Sequence, residues 1–209
     1  MTQITQAPSA VSNNSSSGSD AWTDYNNVKI DDASVATWAG GGDTTSYLLK
    51  CIFDFSAIPP NDENTLTIIN SITFNVHKYA DSNGSSNNIK DFYVKLFHSD
   101  GIVVGTDFAK TARWGTSEST STYTVDSTTI NALGTNYIRA SNFGLYFQVQ
   151  DAHNGAVAYI DYIEMIINYT STPIVNSIFY DVFHPTVFKS VIFGSKILST
   201  EEEINVSII

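Results

Sequence analysis

The 209 residues are 42% hydrophobic and 12% aromatic but only 15% charged, enough apolar mass for one β domain whose solubility rests on Ser, Thr and Asn. A formal net charge of -11 with only ten Lys and Arg excludes a cationic grip on nucleic-acid phosphates or on anionic membrane surfaces. No run approaches the roughly 20 apolar residues of a membrane span, so neither nucleic acid nor membrane insertion is expected.

Taken in order, Met1 to Ser19 read as a flexible polar arm, because Ser12-Asn-Asn-Ser-Ser-Ser-Gly-Ser19 buries too little apolar surface to offset its ordering. It lacks the basic and apolar regions of a secretory leader. Order in this arm would argue for an assembly. Val28 with Ile30, and Val35 to Trp38, suggest two short strands, followed by a glycine-rich loop at Gly40-Gly-Gly-Asp43. Tyr47 to Phe55 is a strand with Leu49, Cys51, Phe53 and Phe55 on one face, closed by Pro59-Pro60. Cys51 is the sole cysteine, which excludes an intrachain disulfide, and its place on that face makes it a small core residue.

Ile72, Phe74 and Val76 alternate with Thr73, Asn75 and His77, and Phe92, Val94 and Leu96 mark a strand expected to pair with them across a polar loop. Residues 100–140 are less periodic, with a lone Trp114 and one helical turn at Thr128–Leu133. Phe143 to Gln150 and Val157 to Tyr169 read as a central hairpin turning at Asn154-Gly155. The sum is an all-β, antiparallel β-sandwich of residues 20–170, jelly-roll-like, with an N-terminal arm (1–19) and a C-terminal β extension (171–209). Thr170-Ser-Thr-Pro173 is the linker signal between them.

The extension is too short and too apolar for a core of its own. Ile178, Phe179, Tyr180, Val182, Phe183, Val187, Phe188, Val191, Ile192 and Phe193 are therefore candidates for oligomerisation or docking, with packing between subunits favoured over docking on its own sandwich.

Chemistry is sparse. The four histidines (77, 98, 153, 184) show no zinc spacing, although His77 and His98 could be neighbours on adjacent strands. Asp31, Asp32, Asp43 and Asp54 gather near the glycine loop without a calcium-loop pattern. Asp161 and Glu164 stand on opposite strand parities and so cannot share a cleft, and Glu164 should face solvent or pair with Lys50 or Lys95. We expect no enzyme, no catalytic residue, no metal and no cofactor. Three tryptophans and eleven tyrosines leave open a sugar-stacking surface, for which Tyr93, Trp114 and Tyr146 are the candidates.

Ala21-Trp22, Ile52-Phe-Asp-Phe-Ser-Ala-Ile-Pro59, Thr67 to Val76, Trp114, Phe143-Gly144 and Ala158 to Tyr169 occur in this order. Together they resemble a β-sandwich module of structural proteins from tailed-bacteriophage virions. The resemblance spans residues 21–169 and leaves out both ends. Asn61-Asp-Glu-Asn64 and the apolar extension depart from it. It implies a virion location and a capsid decoration, head-fibre or tail/fibre subunit, multimeric and most often trimeric, with itself and other virion proteins as partners. A carbohydrate-binding module or a binder of host-surface glycan is the alternative.

Overall fold

The computed structural model describes residues 1–40, 44–81, 89–98, 101–151 and 156–174, and the backbone of 177–180, 189–193 and 196–199. In chain order the elements begin with β1 (Thr2–Gln6), β2 (Ala10–Asn14), a 3-10 turn (Tyr25–Lys29), β3 (Ala36–Ala39), β4 (Thr44–Thr45), β5 (Leu48–Ile52) and β6 (Thr65–Ala80). They continue with β7 (Lys90–Phe97), β8 (Val103–Val104), β9 (Ser119–Thr124), α1 (Ser127–Ile138), β10 (Gly144–Asp151) and β11 (Val157–Pro173). Three further strands are β12 (Ser177–Tyr180), β13 (Lys189–Phe193) and β14 (Lys196–Ser199).

Two antiparallel sheets form the sandwich. The first runs β1-β11-β6-β9, with β3 sharing the β1 edge of β11, and the second runs β2-β5-β10-β7-β8, with β4 beside β10. Apart from β4/β5 and β7/β8, consecutive sandwich strands lie in opposite sheets, the crossing pattern of a jelly-roll-like fold. Between the sheets lie Leu49, Cys51, Phe74, Val94, Phe147 and Met165, all at 0% exposure. Each large side chain there contributes about 1.5–3 kcal/mol by leaving water.

That crossing corrects two expected pairings. β10 and β11 are not a hairpin: β10 pairs with β5 and β7, whereas β11 pairs with β6 along its length. Asn154-Gly155 lies outside the described residues. β6 and β7 likewise belong to opposite sheets, so His77 and His98 are not cross-strand neighbours. His77 sits edge-on to Tyr162, and His98 stacks on Tyr137. Alternation predicts which face of a strand is buried, but a crossover and a hairpin present the same alternation.

The N-terminal residues are not a free arm. β1 pairs with Met165–Tyr169 of β11, and β2 pairs with Leu48–Ile52 of β5, so one sheet each receives an edge strand. Main-chain hydrogen bonds and the packing of Ile4 and Val11 on the core order a segment too polar to order itself. Its order comes from this chain's own sheets and carries no argument for a partner. Nor is Thr170–Pro173 a linker. It continues β11 opposite Leu66 and Thr65, and Ile174 N–H donates to the Asn64 carbonyl at 2.8 Å. Pro173 stands where a strand tolerates proline, at its end.

Smaller corrections follow from capping and packing. Val28 is buried in a 3-10 turn, not a strand. The helical turn grows into α1, capped by Asp126, whose carboxylate accepts from Thr129 N–H at 2.8 Å and is held below the usual carboxylate range by it. Gly134, at φ +61°, interrupts the helix. Glu164 accepts from Asn75 Nδ2 at 2.7 Å, while Lys50 and Lys95, on the other sheet, lie over the rings of Phe97 and Tyr93. The acidic group near the glycine loop does not converge: Asp32 and Asp54 each accept from a main-chain amide two residues on, and Asp43 lies outside the described residues.

Candidate functional site

Three features of the sandwich carry chemistry or surface. On the outer face of the second sheet, Phe97 and Tyr146 stack with centroids 4.3 Å apart. Gly144 makes room for this, because a Cβ there would fall 2.5 Å from Phe97 Cζ and 2.1 Å from the Cys51 carbonyl oxygen. Tyr93 and Leu48 extend the apolar surface into a groove of about 380 Å³. Phe92, the extra residue where the β7–β10 register shifts, is 47% exposed at its wall. Asn14, Ser17 and Gln148, the last paired across the strands with Tyr93, add polar groups to the lining. Apolar stacking faces beside hydroxyl and amide groups suit a sugar's CH face and its hydroxyls.

Of the three aromatic residues expected at such a surface, the structure brings Tyr93 and Tyr146 together and removes Trp114. Trp114 is 6% exposed and points between the sheets, where its Nε1 donates to Asp91 Oδ1 at 2.9 Å.

Asp91 is the centre of the second feature. Its carboxylate also accepts from Lys78 Nζ (2.5 Å), Tyr123 OH (2.7 Å) and the Lys110 amide (2.9 Å). The network joins the two sheets through β6, β7 and β9. Lys78 Nζ additionally lies 4.6 Å from the Trp114 ring centroid. Burial pulls the Lys78 ammonium down to about 8 against the opposing attraction of Asp91, and burial pushes the Tyr123 hydroxyl well up. Lysine beside tyrosine and carboxylate is a set that enzymes use for proton transfer. Here the carboxylate is fully buried, and among the described residues a recess of about 90 Å³ lined by Lys78, Arg113 and Ser121 lies beside the network. That volume suits water rather than a substrate, so the arrangement works as a buried ion pair locking sheet to sheet. The sequence signal was present: Lys78 holds a core parity after Ile72, Phe74 and Val76.

The third feature is the extension. Among the described residues, β12, β13 and β14 form a separate antiparallel sheet that pairs with neither sandwich sheet. Ile178, Phe179 and Tyr180 lie in β12, and Val191, Ile192 and Phe193 lie in β13. Val182, Phe183, Val187 and Phe188 lie outside the described residues. At the point where the chain departs, Leu66 and Ile68 share one face of β6 and are 46% and 51% exposed.

Cys51 is a fully buried core thiol whose pKa is raised by burial, the opposite of a nucleophile's setting. No helix among the described residues is long and apolar enough to cross a membrane. These observations define an all-β sandwich. No family model, no curated protein and no solved structure matches this chain.

Proposed function

We propose that this chain is a non-enzymatic structural subunit of a tailed-bacteriophage particle, a capsid decoration, head-fibre or tail protein, that associates with itself and with neighbouring virion proteins through its C-terminal segment. The observation that carries the association is the β12–β14 sheet, which stands outside both sandwich sheets and follows an apolar patch at Leu66 and Ile68. An apolar segment whose outer strand edges pair with nothing among the described residues gains most by pairing with a second copy or a neighbour. The particle itself is the reading of the sequence resemblance over residues 21–169.

The experiment is size-exclusion chromatography with light scattering on the full chain and on a chain ending at Ile174. The cut falls there because β11 pairs through Pro173. The full chain should be an oligomer, most simply a trimer, and the shortened chain a cooperatively melting monomer. A monomeric full chain would count against self-association, and absence of the protein from purified particles by mass spectrometry would count against the virion.

A second reading, glycan binding, is favoured by one observation: Tyr93 and Tyr146 meet in a groove that also presents Asn14, Ser17 and Gln148. It fits a host-surface contact on the same particle. A glycan array on the wild type, repeated with Tyr93→Ala, decides it; no binding by the wild type removes this reading.

A further inference from the structure

The outer face of the first sheet carries a group that neither reading uses. β11 has a bulge there: Ile160 opposes Lys78 and Tyr162 opposes His77, which leaves Asp161 as the extra residue. A bulge re-aims its side chain, and this one turns Asp161 out of the core alternation toward His77. The turn region between residues 24 and 35 closes over the same face and brings Asp31. Ligand atoms of Asp31, His77 and Asp161 all lie within 4.8 Å of one another. His77 Nδ1 is 3.9 Å from Asp31 Oδ1 and 3.7 Å from Glu118 Oε1.

Two facts separate this group from an ordinary acidic surface. Asp161 is only 2% exposed, and its buried Oδ1 has no hydrogen-bond partner. A buried carboxylate oxygen without a donor is costly, and here its neighbours are further carboxylates. In addition, the 3.7 and 3.9 Å separations exceed hydrogen-bonding distance, so the imidazole does not settle the charge by donating to either acid. They are close to the spacing between ligands around a tetrahedral ion, about 3.4 Å for bonds of about 2.1 Å. With the ligand atoms of Asp31, His77 and Asp161 within 4.8 Å of one another, side-chain shifts of about an ångström would bring them onto one ion.

We infer that Asp31, His77 and Asp161, with Glu118 at the rim, bind a divalent transition-metal ion of the zinc or manganese class. The imidazole nitrogen among carboxylate oxygens selects that class over calcium, which takes six to eight oxygens. The ion would tie the 24–35 turn to β6 and β11, a structural role that does not depend on the virion or glycan reading.

The test is calorimetric titration of the chelator-treated full chain with zinc chloride, manganese chloride and calcium chloride, together with melting curves with and without metal. The wild type should bind one zinc or manganese ion per chain and melt higher with it. His77→Ala should weaken binding at least about 10-fold, the loss that even an outer-sphere partner can cause. Asp161→Asn should abolish the metal-induced rise while melting, metal-free, no lower than the wild type. Absence of saturable zinc or manganese binding, or binding left intact in both variants, would overturn the assignment. Calcium binding that survives His77→Ala would also overturn it, because the imidazole would then not be a ligand.

Discussion

Replacing Asp91 with Asn puts the buried network to its most direct test. Among the described residues the carboxylate is the one anion paired with Lys78 Nζ, whose side chain is 5% exposed, and it accepts four hydrogen bonds. Asn leaves one acceptor oxygen and turns an amide N–H₂ toward N–H donors (the Lys110 amide, or Lys78 Nζ and Trp114 Nε1) that cannot accept it. Breaking a buried ion pair from one side costs about 3–5 kcal/mol, because the remaining charge stays buried. For a domain of this size each kcal/mol lowers the melting temperature by about 2–4 °C, so the loss should be about 6–20 °C. The assay is urea unfolding and a thermal melt followed by circular dichroism, on Asp91→Asn, Lys78→Met and the double variant. The double variant removes both charges and keeps an acceptor for Tyr123, so it should be more stable than Asp91→Asn alone. If Asp91→Asn costs under about 1 kcal/mol, or if the two single losses add to within about 0.5 kcal/mol, the pair does not hold the sheets.

The same lysine sets a pH dependence. Its folded pKa, about 8, lies below the ordinary 10.5, so between these values the unfolded chain binds more protons and stability rises with pH. From pH 8 to 9 the gain should approach about 1 kcal/mol in urea titrations and vanish in Lys78→Met. The raised Cys51 thiol acts in the opposite sense, since near and above pH 9 only the unfolded thiol ionises, so the Lys78 contribution is read as the difference between wild type and Lys78→Met. Gly144→Ala should prevent soluble expression or cost several kcal/mol, because the new methyl meets the Cys51 carbonyl, which is main chain and cannot rotate away; a soluble protein with an unchanged melt would contradict this. Deleting residues 1–7 strips β1 from the Met165–Tyr169 edge of β11 and should produce concentration-dependent aggregation by light scattering.

How far the sequence speaks is clearest along β6 and β11. Ile72, Phe74 and Val76 alternate without interruption, and the structure buries all three. In β11, Ala158 and Ile160 point inward on one parity, and Ile163, Met165 and Ile167 on the other. Read as a strand apolar on both faces, that run hides its meaning: the parity switch is the bulge, and Asp161 stands at it. A period-2 pattern states orientation within a strand but nothing about its partner, which is why β10 and β11 looked like a hairpin. Met1 to Ser19 misled for a related reason. Their composition gives no core burial, yet an edge strand is held by main-chain hydrogen bonds that composition does not reveal. The Tyr93–Tyr146 groove could be anticipated only in part, since Trp114 differs from them by position between the sheets, not by residue type.

The pairing of β1 with β11 has a consequence for synthesis. Ile4 waits for Ile167, so β1 is completed only after about 160 further residues have been made. At about 5–20 residues per second, some 160 residues take roughly 8–30 s to emerge. Through that interval β1 stands off the ribosome without its partner, and the first sheet cannot close until β11 is made. The polar composition of residues 1–19, rich in Ser, Thr and Asn, is what keeps such a waiting segment soluble. A sequence that looks disordered in isolation is thus well matched to the order in which its fold must be assembled.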